Sequence, residues 1–306
     1  MRKIIIAGGS GFLGQSLVSY FLPKDVEIVI LSRNTKETGN DKLRYVQWNA
    51  KTLDIWVTEL EGADALINLT GKSVDCRYNE KNKAEILNSR IDSTKVLGEA
   101  IQACAVPPKV WINSSTATIY KHSLAQKMTE KNGVIGDDFS MNVAKAWEKA
   151  FFGSNTPKTN KIAVRTSIVL GKNGGAFIPL KNLTKFGLGG TQGSGNQKVS
   201  WIHEHDFCRA IEFLLEQQAR GIFNVTSPNP IPNKEFMKTI RKVLKVPIGL
   251  PQPKWLLQLG ARIIKTEAEL ILKSRYVIPE KLLATGFQFQ YPVVEEAISE
   301  ITNRYN

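Results

Sequence analysis

The stretch Lys3-Ile4-Ile5-Ile6-Ala7-Gly8-Gly9-Ser10-Gly11-Phe12-Leu13-Gly14 decides how this chain folds. Its first five residues, apolar after Lys3 and without polar alternation, predict a strand covered on both faces. The glycines that follow predict a tight turn into an amphipathic helix over residues 12–21. A helix N-terminus presents free N–H groups and the positive end of its dipole, so a turn placed here suits a diphosphate. Gly8 can supply the tight turn, Gly11 close approach of phosphates, and Gly14 close packing of helix on strand. With Ser10, Phe12 and Leu13 they form the candidate phosphate cradle; the alternative is a glycine turn that binds nothing.

Outward from this turn, apolar strand-like runs alternate with helix-period segments: 12–21, 27–31, 43–48, 65–69, 85–103 and 110–113, then a helix near 138–152 and a strand over 161–169. That alternation predicts an α/β fold, a Rossmann-type doubly wound parallel sheet with crossover helices. After Leu170 the character changes. Residues 171–200, rich in Gly, Asn and Lys, read as a long loop that could cover a site. Asp206 opens and caps a helix to about 219, and 221–225 reads as one more strand. From Pro228 onward, prolines punctuate helical patterns. The expected division is a dinucleotide-binding domain over 1–169, completed by about 206–226, with 170–205 and 227–306 forming a smaller, mostly helical lobe.

The 306 residues, 42% of them hydrophobic, suffice for one large core or a nucleotide domain with an appendage. Cys76, Cys104 and Cys208 are scattered and make neither a disulfide framework nor a metal pair, so reduced structural thiols and no metal are expected. The formal charge of +13 raises the question of nucleic acid. Lys and Arg are spread along the chain with no basic run interleaved with aromatics, so a solvated surface is the expectation, with attraction of an anionic ligand a second use. No apolar run reaches the roughly 18 residues of a membrane span. A cytoplasmic protein without nucleic-acid or membrane partners is expected.

The second strand ends in Ser32-Arg33-Asn34, where an NAD-preferring site places Asp or Glu against the ribose 2′-hydroxyl. Arg33 can instead meet a 2′-phosphate with a forked, charge-assisted contact, which favours NADP over NAD; otherwise Arg33 points to solvent. Asn68-Leu69-Thr70-Gly71 ends the fourth strand, at the carboxyl edge where open sheets bind ligands, so Leu69, Thr70 and Gly71 are expected near the ribose and nicotinamide. Trp48, ending the third strand, either flanks adenine or packs in the core.

Gly8 to Gly14, Asn68 to Gly71 and Ser114-Ser115-Thr116 at the end of the fifth strand resemble the extended short-chain dehydrogenases/reductases, the superfamily of sugar-nucleotide epimerases and dehydratases. More specifically, several stretches resemble its atypical epimerase-like subfamily. They are Arg77, Ser89 through Thr94, Trp147-Glu148, Arg165, Val169-Leu170-Gly171, Gly189-Gly190, Gly193-Ser194-Gly195, Gln197, Ser200 through His203, and Asp206. Ser274 through Pro279, Gly286-Phe287 and Phe289 through Pro292 resemble that subfamily's C-terminal segment of unknown role.

The resemblance implies a Tyr-x-x-x-Lys pair on the helix after the fifth strand, the lysine lowering the tyrosine's pKa for proton relay while hydride moves. This chain departs from the pattern: Lys145 is preceded at i−4 by Met141, and methionine transfers no proton. The literal match Tyr20 to Lys24 lies in the first helix, the wrong element. Ser115, Thr116 and Tyr120 are the candidate substitutes, with His203 another. Each has a plain alternative as a backbone-satisfying hydroxyl, a packed ring or a surface group. Arg77 and Arg90 either hold an anionic group of cofactor or substrate or form surface salt bridges. The glycine-rich 189–195 either folds over a ligand or is a bland loop.

The resulting expectation is an NADP-dependent, epimerase-like oxidoreductase acting on a small molecule, with nucleotide sugars the first class, and a homodimer as related extended enzymes often are. The competing expectation is an NADP-holding regulatory or scaffold protein without turnover, compatible with the cell-division label some relatives of the family carry.

Overall fold

The structure, a computed structural model, describes residues 2–263 and 267–303. Its centre is a sheet of seven strands: β1 (Arg2–Ala7), β2 (Val26–Ser32), β3 (Leu43–Gln47), β4 (Ala65–Asn68), β5 (Val110–Thr116), β6 (Asn160–Thr166) and β10 (Gly221–Val225). They lie in the order β3-β2-β1-β4-β5-β6-β10, every neighbouring pair parallel. The chain runs outward from β1 to β3, then crosses back to β4 on the other side of β1. That reversal opens a crevice at the carboxyl ends of β1 and β4.

The strand period of two explains the unbroken apolar runs. Ile4 and Ile6 face α1 (Phe12–Phe21) and α5 (Glu204–Glu216), packing with Leu17, Phe21, Phe207 and Ile211. Ile5 and Ala7 face the opposite side, where α2 (Glu80–Ala103) and α3 (Phe139–Gly153) lie, in a core with Leu97, Ile101, Trp111 and Phe151. A strand buried on both sides has no position for an alternating polar residue.

Beyond β6 the chain departs from the expected single strand over 161–169. β6 stops at Thr166, Ser167 N–H donates to Val225 O at 3.2 Å, and β7 (Ile168–Leu170) leaves the sheet to pair with β9 (Trp201–His203). The stretch expected as a loop over 171–200 carries α4 (Phe177–Leu183), a wide helical turn at Thr184–Leu188, and β8 (Lys198–Val199), which pairs with β11 (Ile231–Pro232). One fully buried ring, Phe177, anchors α4; a helix of seven residues with one anchor leaves no periodicity to read.

α6 (Asn233–Val243) and α10 (Val294–Asn303) pack against β7 and β9 around Phe177, Trp201, Phe236, Ile240 and Ile298, forming a second core. α7 (Lys254–Ile263), α8 (Glu269–Leu272) and α9 (Glu280–Ala284) complete the lobe. The expected division is crossed at its end, because Leu282 and Phe287 pack back into the core beside α5 and the sheet. No described helix is long and apolar enough to cross a membrane.

Candidate functional site

The crevice at the ends of β1 and β4 is a cleft of about 1010 Å³. Gly8, Ser10 and Gly11 form one wall, Ser32, Arg33, Trp48 and Lys51 a second, and Leu69, Thr70 and Gly71 the floor. Gly8 has φ +75°, and a Cβ there would stand 3.0 Å from the backbone of Thr70; glycine alone is at ease in both respects. At Gly11 the nearest atom to an added Cβ is Gly8 O at 3.7 Å, so its missing side chain leaves space on the cleft side. Gly11 is also the N-cap of α1, with no side-chain cap and no acidic residue in the first turn. The first N–H groups of α1 therefore remain available to an anion. Gly14 serves packing: a Cβ would penetrate the Cα and carbonyl of Gly9.

Phe12 and Leu13 do not line the cleft. Phe12 turns its ring onto Gly171, Gly174 and Gly175, and both side chains pack against the sheet core. What these two residues can offer a ligand is backbone N–H. Arg33 is exposed and forms no ion pair among the described residues, and no carboxylate follows β2 at this point. Lys51, which sequence reasoning passed over, lines the same wall. Asn49 Oδ1 accepts from the N–H of Lys51 at 2.9 Å and of Thr52 at 3.0 Å, and Ala50 turns the chain at φ +61°. The available signal was the asparagine turn itself. Trp48 packs edge-on to Trp56 at 5.3 Å and also lines the cleft.

On the floor, Asn68 Oδ1 accepts from Thr70 N–H at 3.0 Å while its Nδ2 donates to Asn113 Oδ1 at 2.7 Å, fixing the ends of β4 and β5. Thr70 Oγ1 is buried with no hydrogen-bond partner among the described residues. A buried hydroxyl left this way is destabilising unless a ligand or water completes it. Arg90 lies behind the floor. Its guanidinium donates to Lys72 O at 3.0 Å and Ile86 O at 2.9 Å, sits over the Trp147 ring at 5.1 Å, and would stand 3.0 Å from a Cβ at Gly71. It has no salt bridge among the described residues, and burial pulls it down to about 10. A desolvated cation without a carboxylate partner favours an anion beside Gly71.

The expected relay candidates separate. Ser115 and Tyr120 belong to a buried network: Ser115 Oγ donates to Glu148 Oε1 at 2.6 Å, and Arg165 bridges Glu148 with two bonds of 2.8 and 2.7 Å. Arg165 also donates to the Tyr120 hydroxyl at 2.8 Å, which donates in turn to Asn224 Oδ1 at 2.9 Å. Burial raises the Tyr120 phenol, and its ring is 1% exposed. These groups are committed to one another and tie β5, α3, β6 and β10 together. Thr116, half-buried at the last position of β5, shares a 2.9 Å hydrogen bond with Thr118. It is the candidate hydroxyl outside the network.

The relay pair that the resemblance implies is not assembled. Asp138 caps α3 by accepting from Met141 N–H at 2.9 Å, which seats the buried Met141 under Gly136. Lys145 leaves in the other direction, to the exposed Asp137 at 2.7 Å. Tyr20 and Lys24 share Glu212 at 2.5 Å each, clasping α1 to α5 far from the cleft.

His203 is fully buried, accepts His205 N–H on Nδ1 at 3.0 Å, meets Glu300 through Nε2 at 3.0 Å, and is the N-cap of α5. This corrects the expectation for Asp206: it lies inside the first turn, and its carboxylate accepts the N–H groups of Gln290 and Tyr291, both at 2.8 Å. Arg77 pairs with Glu267 at 3.2 Å. The glycine-rich segment 189–195 is built into the lobe, with Gly190 against Leu250 O and Gln192 bridged to Gln252. Among the described residues no group of three His, Cys, Asp or Glu could hold a metal ion.

Comparison with known proteins agrees with this architecture. Residues 4–146 match the NAD dependent epimerase/dehydratase family, and residues 252–301 match the domain of unknown function DUF1731. The chain is 36% identical over 301 residues to the epimerase family protein YfhF of Bacillus subtilis, covering 98% of this chain and 97% of that protein. Human epimerase family protein SDR39U1, solved with NADPH, superposes with a TM-score of 0.87 at 31% identity, covering 99% of both chains. A nucleoside-diphosphate sugar epimerase from Corynebacterium glutamicum matches at TM-score 0.76 and 26% identity, covering 97% of this chain and 57% of that one. The shared length, the glycine turn and the match over 252–301 together mean that this chain belongs to the NAD-dependent epimerase/dehydratase family, as a member carrying a DUF1731 domain.

Proposed function

We propose that the chain binds NADP(H) in the β1/β4 cleft and acts as an epimerase-like oxidoreductase on a small molecule, with nucleotide sugars the first class to test. The observation that carries this reading is the wall formed by Arg33 and Lys51, with no carboxylate at the end of β2, opposite an uncapped helix N-terminus. Such a wall suits a 2′-phosphate and opposes nothing on it. The buried Thr70 hydroxyl and the open space at Gly11 also fit a dinucleotide. The human relative solved with NADPH is consistent with the same choice.

In this reading the N–H groups of Phe12 and Leu13 hold the diphosphate, Arg33 the 2′-phosphate, and Trp48 borders adenine. Leu69, Thr70 and Gly71 bound the ribose and nicotinamide, with the Arg90 charge behind them. The bound cofactor supplies or accepts hydride. With no tyrosine at position 141, this reading gives the proton relay to Thr116, the candidate hydroxyl outside the buried network, which bonds Thr118 at 2.9 Å. The Ser115–Glu148–Arg165–Tyr120 network positions the end of β5 and is not itself the relay.

Calorimetric titration of wild type and Arg33→Asp with NADPH and NADH tests the reading. Loss of a charge-assisted contact of about 2 kcal/mol, roughly 30-fold, is expected for NADPH, with NADH unaffected. Undiminished NADPH affinity in the variant would overturn the assignment. A second reading, an NADP-holding regulatory protein without turnover, draws on one specific observation: Met141 and the outward pairing of Lys145 dismantle the relay pair. Absence of NADPH oxidation across carbonyl and sugar-nucleotide substrates, with tight NADPH binding retained, would favour it.

A further inference from the structure

We infer that the C-terminal lobe carries a docking face for an anionic phospholipid bilayer, built from Phe186, Leu188, Ile248, Leu250, Trp255 and Leu259. All six are exposed, from 37% at Leu188 to 84% at Phe186. The fold brings the segments that carry them together. Leu250 N–H donates to Gly187 O at 2.8 Å, Gln252 N–H donates to Thr191 O at 2.8 Å, and Gln252 also holds Leu188 O. The strap at 187–191 therefore runs beside 249–252, and α7 starts directly after it. On α7, Leu257 and Ala261 are buried while Trp255 and Leu259, one turn apart, face outward. A helix apolar on its solvent side as well as its core side has a surface left to cover.

Charge selects the occupant. Residues 171–203 contain four lysines and no Asp or Glu, and residues 236–263 contain six Lys and Arg and no Asp or Glu. Exposed Lys185 adjoins Phe186, Lys254 adjoins Trp255, Lys245 precedes Ile248 by three residues, and Arg262 follows Leu259 by three. Tryptophan, phenylalanine and aliphatic side chains flanked by exposed cations suit the boundary between anionic headgroups and acyl chains. A second copy on this face would set two predominantly cationic surfaces against each other. Nucleic acid would leave the aliphatic side chains of the face without apolar partners. The inference departs from the expectation of no membrane partner, which rested on the missing span; contact with a bilayer surface requires none.

Trp255 is the reporter. Of six tryptophans, the other five are at most 5% exposed, while Trp255 is 65% exposed. The full chain is sedimented with vesicles of phosphatidylcholine alone and of phosphatidylcholine with phosphatidylglycerol, some carrying brominated acyl chains. Binding to the anionic vesicles, weakened by salt, with tryptophan quenching that disappears in Trp255→Phe, is expected. Phe186→Ser/Trp255→Ser and Lys245→Glu/Lys254→Glu should each weaken binding by about tenfold or more, while retained NADPH affinity shows both variants are folded. No binding to anionic vesicles at low salt, or equal binding by the apolar variant, would overturn the inference. So would a stable dimer through this face that vesicles do not dissociate, or capture of polyglutamate with none of the vesicles.

Discussion

Replacing Gly11 by alanine separates binding of the cofactor from stability of the fold, because this glycine and Gly14 are empty of a side chain for different reasons. Gly11 has φ −79° and ψ 174°, open to any residue, and its nearest neighbour to a new Cβ is 3.7 Å away. In the free protein Gly11→Ala should therefore cost at most about 1 kcal/mol, the difference between the two residues at an N-cap. The added methyl occupies the cleft beside the first N–H groups of α1. Displacing the diphosphate from one such N–H forfeits a hydrogen bond to a charged group, about 1.5–3 kcal/mol, or roughly 10- to 150-fold in affinity. Gly14→Ala is the contrast. Its Cβ would enter the backbone of Gly9, which cannot swing aside, so overpacking of about 1–3 kcal/mol falls on the fold itself. Urea unfolding without ligand and NADPH titration by calorimetry, run on both variants, read the two quantities separately. Gly11→Ala with wild-type NADPH affinity would refute the cradle.

Glu148→Ala leaves the Arg165 guanidinium buried without its bidentate partner, so a loss of about 3–5 kcal/mol is expected in the urea midpoint. A loss below about 1 kcal/mol would mean that water reaches Arg165. Glu59 is held below its ordinary value of 4.5 chiefly by Arg44, 2.5 Å away. A depressed carboxylate contributes stability above its unfolded pKa that is lost as pH falls through the folded one. Glu59→Gln should therefore flatten the fall in stability below about pH 4.5; an unchanged acid limb in thermal unfolding would dismiss the pair as a contributor.

The central sheet was legible because its strands have short apolar cores and because helices of ten residues or more follow β1, β4 and β5. The phosphate turn was legible because three glycines follow the first strand at fixed spacing. The break at Ser167 was not, since 161–169 reads as one strand and only pairing with β9 draws its end away. Nor were α4 and the 187–191 strap, whose order comes from Phe177 and from hydrogen bonds to residues some sixty positions later. Asp206 read as a cap because acidic residues favour helix starts; His203 took that place, and Asp206 turned to backbone groups of residues 290 and 291.

By itself the sequence determined what local chemistry determines: strand burial, the glycine geometry at residues 8, 11 and 14, the basic residue after β2, and the missing tyrosine at position 141. Only the tertiary structure decided which hydroxyls are committed and which remain half-exposed. Ser115, Thr116 and Tyr120 are near-equivalent in sequence, yet Glu148, Arg165 and Asn224 claim the first and third from other elements. Long-range partners set that outcome, because a polar side chain's role depends on what the fold places within three ångströms of it, and no spacing along the chain records that distance.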